Sequence, residues 1–389
     1  MNRTGYIYLI LASAVAATEC RKPYMAPIQS VNHAYLVVEG TININGQTTI
    51  KLSRSTSLSS KTTINPLEGA NVVIENSQNN SYSLTETKSG TYVSDSLNLD
   101  PTLKYRLRIK TTGGGEYLSD FVTAKTTPPI DSIGFNINGV NNSLNIYANA
   151  HDPNNNTRYY RWDYTETWQF HAKYFSGYMS NGQAIVERQP YQYIYYCFHA
   201  DTSSDIVINS TAKLKQDVTY QNTIVNIPST SEKIEVKYSI LLHQYALTND
   251  AYDFWVAMRK NTEELGSIFD VQPSKNLSNI HNVNNSSEPV IGYISACSVQ
   301  TKRVFIAKQQ LPQSWITTYP YDCGLDSNRY CYGLGCKNQV ADNLIQLPNE
   351  NIPVSAFFDP LNPAGFTSSK KECVDCTIRG TQVKPSFWQ

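Results

Sequence analysis

The sequence predicts a mostly β protein, and three observations carry that expectation. Tyrosine, at 27 copies, far outnumbers methionine, at 4. Asn, Ser and Thr crowd the gaps between short apolar runs, the usage of strands and turns rather than helices. The runs alternate with a period of two. With 389 residues, 40% of them hydrophobic and only 16% charged, the chain is long enough for more than one core, which excludes a disordered chain.

The first element is a leader. Met1, Asn2 and Arg3 precede an uncharged stretch from Tyr6 to Ala17, a short positive region followed by an apolar segment of signal-peptide length, too short to span a bilayer. Ala16, Ala17 and Thr18 then lead to Cys20, which reads as a lipoprotein processing site whose cysteine becomes the acylated first residue. Residues 1–19 are thus a signal peptide and 20–33, with Pro23 and Pro27, a lipid-anchored tether. Glu19 stands where a small residue is expected, and an ordinary secretory leader cut nearby is the alternative. Either way the chain is exported.

Residues 34–127 read as an N-terminal β-sandwich. Apolar runs at 36–40, 48–52, 70–75, 82–85, 91–94, 105–110 and 117–122 are separated by Asn, Gly and Ser clusters such as 76–81 and 113–115. Pro128-Pro129 is a stiff break, because neither residue can donate to a ladder and both fix the backbone. Residues 128–389 form a larger β-rich domain, with strand patterns at 133–135, 143–148, 158–170, 205–209, 232–244, 290–299 and 302–306. One helix interrupts them over 248–265. Thr248 is its N-cap, Leu247 and Tyr252 form a hydrophobic staple, and Gly266 closes it. Its aromatics Tyr252, Phe254 and Trp255 predict docking on a sheet. Beyond Trp315 regular strands fade into a Cys-rich excursion over 320–376 that needs bridges to hold a shape.

In an exported chain Cys197, Cys323, Cys331, Cys336, Cys373 and Cys376 are expected as three disulfides, of which fifteen pairings exist. Cys297, inside the apolar run 290–299, is set aside as a buried free thiol. The spacings Cys331-x4-Cys336 and Cys373-x2-Cys376 also suit zinc, which an oxidising compartment disfavours.

The 32 basic and 32 acidic residues cancel, and the leader removes one of each, so charge gives no case for nucleic acid. No nucleophile elbow, metalloprotease helix, phosphate loop or dinucleotide fingerprint is present, and the histidines have no ligand spacing. No catalytic residue, cofactor or metal site is assigned. A glycoside hydrolase stays open, since it needs only two carboxylates whose separation no sequence reveals.

The segment 158–170 alternates strictly. Tyr160, Trp162, Tyr164, Glu166, Trp168 and Phe170 share one face, expected as core, in which Glu166 must be paired or hydrogen-bonded. Tyr159, Arg161, Asp163, Thr165, Thr167 and Gln169 share the other, expected to face solvent. Upstream, Asp152, Asn154, Asn156 and Asp163 echo a calcium loop, but Thr157 replaces the glycine of its sharp turn, so a turn before a strand is the preferred reading. Tyr174, Phe175, Tyr178, Tyr191 and Tyr193, near the breaks Gly177 and Asn181-Gly182, form the candidate ligand or partner loop. Large amphipathic rings lose little entropy on docking. The alternative is that 191–198 is simply another strand.

Several stretches, in order, resemble the DUF4249 family of the Bacteroidota. They are 20–40 ending in Leu-Val-Val-Glu-Gly, Pro128-Pro-Ile-Asp-Ser132, Thr157-Arg-Tyr-Tyr-Arg-Trp-Asp-Tyr-Thr-Glu-Thr-Trp168, Tyr238-Ser239 to Gln244-Tyr245, 266–274, Gly292-Tyr293 and Cys373-Val-Asp-Cys376 to Phe387-Trp388. The resemblance implies an outer-membrane, surface-exposed lipoprotein whose genes commonly lie beside TonB-dependent receptors. It also implies an N-terminal module similar to transthyretin-like, carboxypeptidase-regulatory sandwiches. It supplies no catalytic residues. The expected function is that of a non-enzymatic, ligand-capturing or lid-like partner of a TonB-dependent (SusC-like) receptor, taking a small-molecule, peptide or glycan ligand. The alternatives are a free-standing surface glycan binder or hydrolase, or a structural subunit of an outer-membrane assembly.

Overall fold

Alternation over 36–123 produces the strands it predicts, in a computed structural model that describes residues 34–56, 64–263, 278–348, 350–359 and 362–388. They are β1 (Leu36–Asn43), β2 (Asn45–Arg54), β3 (Asn65–Pro66), β4 (Asn71–Asn76), β5 (Ser81–Lys88), β6 (Thr91–Asn98), β7 (Lys104–Lys110), β8 (Glu116–Ser119) and β9 (Val122–Thr123). Inward residues of β1 and β2, Leu36, Val38, Ile50 and Leu52, share one core with Ile74 of β4 and Leu107 of β7. Because β5 pairs with both β4 and β6, the strands form one continuous hydrogen-bonded path wrapped on that core rather than two separate sheets.

The chain continues through β10 (Ile130–Asn138), β11 (Ser143–Asp152), β12 (Tyr159–His171), β13 (Tyr178–Ser180), β14 (Ile185–Glu187), β15 (Tyr196–Thr202), β16 (Val207–Ser210), β17 (Asp217–Pro228) and β18 (Lys237–Ala246). Helix α1 (Asn249–Thr262) follows, then β19 (Ile280–Asn282), β20 (Ile291–Gly292), β21 (Ala296–Cys297) and β22 (Val299–Ala307). A sheet ordered β10-β11-β17 and a second ordered β15-β12-β18-β22, with β16 beside β12, enclose a second core. There Ile146 and Ala148 of β11 meet Tyr160, Trp162 and Phe170 of β12 and Leu242 of β18.

Two features of these strands escaped the sequence pattern. Strand β17 points Asp217 and Thr219 inward and Val218 and Tyr220 outward, inverting the usual apolar-in order over its first four residues. The run 290–299, expected as a strand of the second part, instead returns to the first: β20 and β21 pair in parallel with β1, and β19 pairs with β8. Ile280, Val290, Ile294 and Ala296 accordingly pack in the N-terminal core. Glycine makes the approach feasible, since a Cβ on Gly292, at φ +135°, would run into the carbonyl of Val38.

This return joins the units firmly. Thr127 N donates to Ser298 Oγ at 2.9 Å, Ala246 N to Thr127 Oγ1 at 3.0 Å and Gln244 Nε2 to Pro128 O at 2.8 Å. The Pro-Pro break is therefore half of a rigid joint. Helix α1 begins as expected, with Thr248 Oγ1 accepting from Ala251 N at 3.3 Å, and docks through Phe254, Tyr252 and Trp255 onto Leu247 and Tyr293. It ends at Thr262, and Gly266 lies outside the described residues.

The C-terminal excursion holds a sheet that was not expected, β23 (Asp326–Arg329), β25 (Asn362–Lys370) and β24 (Asn351–Asp359) in that spatial order. Register shifts at Pro353/Ser355 and Phe357/Asp359 break the two-residue period that would have marked it. The three expected bridges are Cys197–Cys376, Cys323–Cys373 and Cys331–Cys336, so none of these sulfurs is a thiolate for zinc, and Cys297 is the buried free thiol. Among the described residues no helix is long and apolar enough to cross a membrane.

Candidate functional site

The two units leave a cleft of about 940 Å³ between them. One wall is the outer face of β1 and β2, where alternation places Glu39, Thr41 and Asn43 beside Gln47, Thr49 and Lys51. The other wall is the outer face of the β12 sheet, presenting Arg161, Asp163, Thr165, His243, Tyr245 and Thr301. Trp255 and Met258 of α1, the loop from Thr202 to Ile206 and Gly292-Tyr293 complete the lining. The odd-numbered face of β12, expected to meet solvent, is thus half-buried in a cleft. A second sheet stands opposite it, which no local pattern reveals.

Cross-strand register assembles the charged cluster. Arg161 lies opposite Tyr245, and Asp163 opposite His243, on β12 and β18. Arg161 is clamped between two rings, its guanidinium carbon 4.4 Å from the Tyr245 centroid and 4.5 Å from that of Trp255. Its Nη2 donates to Asp163 Oδ2 at 2.8 Å. The other carboxylate oxygen, Oδ1, receives His243 Nδ1 at 2.8 Å and Tyr245 OH at 3.2 Å.

Burial alone would raise the pKa of Asp163, but the His243 hydrogen bond and the Arg161 charge outweigh it and hold the carboxyl below its ordinary range. Burial and the Asp163 charge push the Tyr245 phenol upward, so it stays a neutral donor. Beneath the cluster, burial raises the Cys297 thiol to about 12, which keeps it protonated and unreactive. The charges of the cluster are therefore satisfied internally, while aromatic faces, hydroxyls and carboxamides line the space around it. Such a surface can engage a ligand by stacking and hydrogen bonds. Among the described residues no three His, Cys, Asp or Glu side chains converge as a metal ion requires.

The residues singled out by sequence lie elsewhere. Cys20 is outside the described residues. Tyr174 is packed, its hydroxyl donating to Cys323 O at 2.8 Å, and Tyr178 meets Phe366 edge-on at 5.1 Å. Phe175 sits edge-on to Tyr193 at 5.0 Å, and Tyr191 is 82% exposed. None of these five lines the cleft. Glu166 is paired, accepting from Tyr238 OH at 2.8 Å and bound by Lys233, which bears out a structural anchor. Asp152 caps a turn, its Oδ1 taking Asn154 N at 2.9 Å and its Oδ2 taking Asn156 N at 2.9 Å and Thr157 N at 2.8 Å, as preferred over a calcium loop. The signal that would have found the cleft is the pair Arg161 and Asp163 beside Trp162, charges set two apart on a strand with an aromatic-rich partner.

A family model described as a domain of unknown function, DUF4249, matches residues 21–303. No curated protein matches the chain. Among solved structures, a DUF4785 family protein from Legionella pneumophila is 9% identical, with 54% of this chain and 52% of that one covered and a TM-score of 0.20. Trypsin-activated alpha-2-macroglobulin from Escherichia coli is 8% identical, with 56% and 15% covered and a TM-score of 0.20. The chain thus spans about half the length of the first and a small part of the second.

Proposed function

The chain belongs to the DUF4249 family, and from that premise we propose that it is a non-enzymatic, ligand-capturing accessory subunit of a TonB-dependent transporter. It is a Bacteroidota lipoprotein, anchored in the outer membrane through Cys20 and exposed at the cell surface. The observation that carries the ligand-capturing part is the cleft, whose volume of about 940 Å³ falls in the range of small-molecule sites. Its walls come from two units fixed to each other through the Thr127 and Pro128 contacts, so the site is formed before a ligand arrives and binding pays little for ordering. The internally paired Arg161–Asp163–His243 cluster, with Glu39, Lys51 and Asp205 around the same space, suits a polar ligand.

The test is a mild-detergent pull-down of the tagged full-length protein from its own membranes, followed by mass spectrometry. A near-stoichiometric TonB-dependent receptor is the expected companion. Recovery of the protein alone, in detergents that preserve known outer-membrane complexes, overturns the transporter assignment. In parallel, Cys20→Ser is expected to release the protein from the membrane fraction, and unchanged partitioning overturns the lipid anchor.

A further inference from the structure

A second cavity, of about 320 Å³, lies under the β13–β14 hairpin, away from the cleft. Arg188, Lys371 and Asp375 line it together with the apolar side chains of Met179, Ile194 and Ile352. The Arg188 guanidinium is fixed by neutral acceptors: Nε donates to Ser176 Oγ at 3.2 Å and Tyr178 O at 3.0 Å, and Nη1 to Gln192 O at 3.1 Å. Its Nη2 has no acceptor among the described residues. Removal from water lowers the Arg188 pKa, with only the through-space charge of Asp375 opposing that trend. Asp375 is itself engaged, its Oδ1 receiving Thr377 N at 2.9 Å and Thr377 Oγ1 at 2.6 Å.

The floor is rigid. Lys371 opens the helical turn Lys371–Val374, and the bridges Cys323–Cys373 and Cys197–Cys376 pin that turn and the chain two residues beyond it. Two lining cations against one carboxylate leave one positive charge uncompensated, on a preorganised fork of N–H donors.

We propose that this pocket binds the carboxylate end of a small organic acid, with the acid's apolar body against Met179, Ile194 and Ile352. A single negative charge matches the single excess positive charge, and a guanidinium pairs with a carboxylate in the strongest hydrogen-bond geometry available to side chains. A phosphate would bring more charge beside Asp375 and leave the apolar half of the pocket unused. The assignment is independent of the cleft and of any transporter partner.

Two of the four methionines serve as reporters, Met179 in this pocket and Met258 in the cleft. Full-length protein with isotope-labelled methionine methyl groups is titrated with hexanoate, hexanol and inorganic phosphate and followed by NMR. The expected result is a saturable shift of the Met179 methyl with hexanoate, an unmoved Met258, and binding of hexanol weaker by about tenfold or more, the loss of a charge-assisted pair. Arg188→Gln should abolish the response. Since Arg188 also anchors its hairpin, Lys371→Gln provides the second variant, and it should weaken hexanoate several-fold with the Met258 signal unchanged. A flat Met179 response, equal responses to hexanoate and hexanol, a response to phosphate alone, or full binding in Lys371→Gln each overturns the proposal.

Discussion

The two faces of β12 carry similar residues to different ends. On the inner face, Tyr160, Trp162, Tyr164, Trp168 and Phe170 are buried with the aliphatic side chains of β11, and Glu166 is buried with them, paired to Lys233 and Tyr238. On the outer face, Arg161 and Asp163 are likewise paired, to each other and to His243 and Tyr245, yet they border an open space. The strand does not make the difference. The inner face meets an apolar sheet and fuses with it, whereas the outer face looks toward the polar outer side of β1 and β2, which has no reason to close on it. A carboxylate among aromatics is architecture in the first setting and the border of an open cleft in the second.

Substitutions on the two faces should separate accordingly. The largest effect belongs to Trp162→Ala, which empties the core and strands Gln244, the partner of its Nε1 at 2.9 Å. A loss of about 3–5 kcal/mol is expected in urea unfolding. A loss below about 1 kcal/mol would mean that the inner row is not core. Next comes Glu166→Gln, which weakens the bonds to Lys233 and Tyr238 and should cost about 1–3 kcal/mol, with no effect on the cleft. Asp163→Asn should cost less than Glu166→Gln, because its side chain is 32% exposed against 4% for Glu166 and solvent partly screens the pairs it loses. It should nonetheless impair ligand binding, since it releases Arg161 and His243 from their set positions. Equal destabilisation by the two carboxylate substitutions would erase the distinction between the faces.

The smallest effect is a pH dependence. The Asp163 carboxyl is held below its ordinary value in the folded state. Its stabilisation is therefore complete above the unfolded value, about 3.9, and is lost as the pH falls through the folded one. Urea unfolding measured between neutral pH and acid should show wild type losing part of its advantage over Asp163→Asn in that acid window. An advantage unchanged down to the most acid pH would place the Asp163 charge outside the folding balance.

Much of this architecture was legible because it follows a local rule. The strands over 36–123, the inner row of β12, the N-cap Thr248 and the pool of bridged cysteines all arise from periodicity, capping chemistry or redox compartment. What was hidden depends on contacts distant in sequence. Strands β20 and β21 read as apolar residues of an ordinary strand, and only the fold shows that they run beside β1. The cleft was hidden for the same reason, since Arg161 and Asp163 fit the polar side of an exposed strand until β1 and β2 stand opposite them. Tyr174 and Tyr178 show how little of a ring's setting composition reveals. Composition cannot distinguish a ring packed on Cys323 or Phe366 from one free to meet a ligand, whereas Tyr191 is exposed.

A ligand held in the cleft against the outer face of β12 must touch the methyl group of Met258, which lines the same space. Full-length protein, with labelled methionine methyl groups, is exposed to pools of short peptides and of oligosaccharides. At least one pool should shift Met258 saturably, with the shift lost in Asp163→Asn and retained in Glu166→Gln. A pool that binds Arg188→Gln as well as wild type while leaving Met258 unmoved, or a Met258 shift that survives Asp163→Asn, would contradict binding in the cleft.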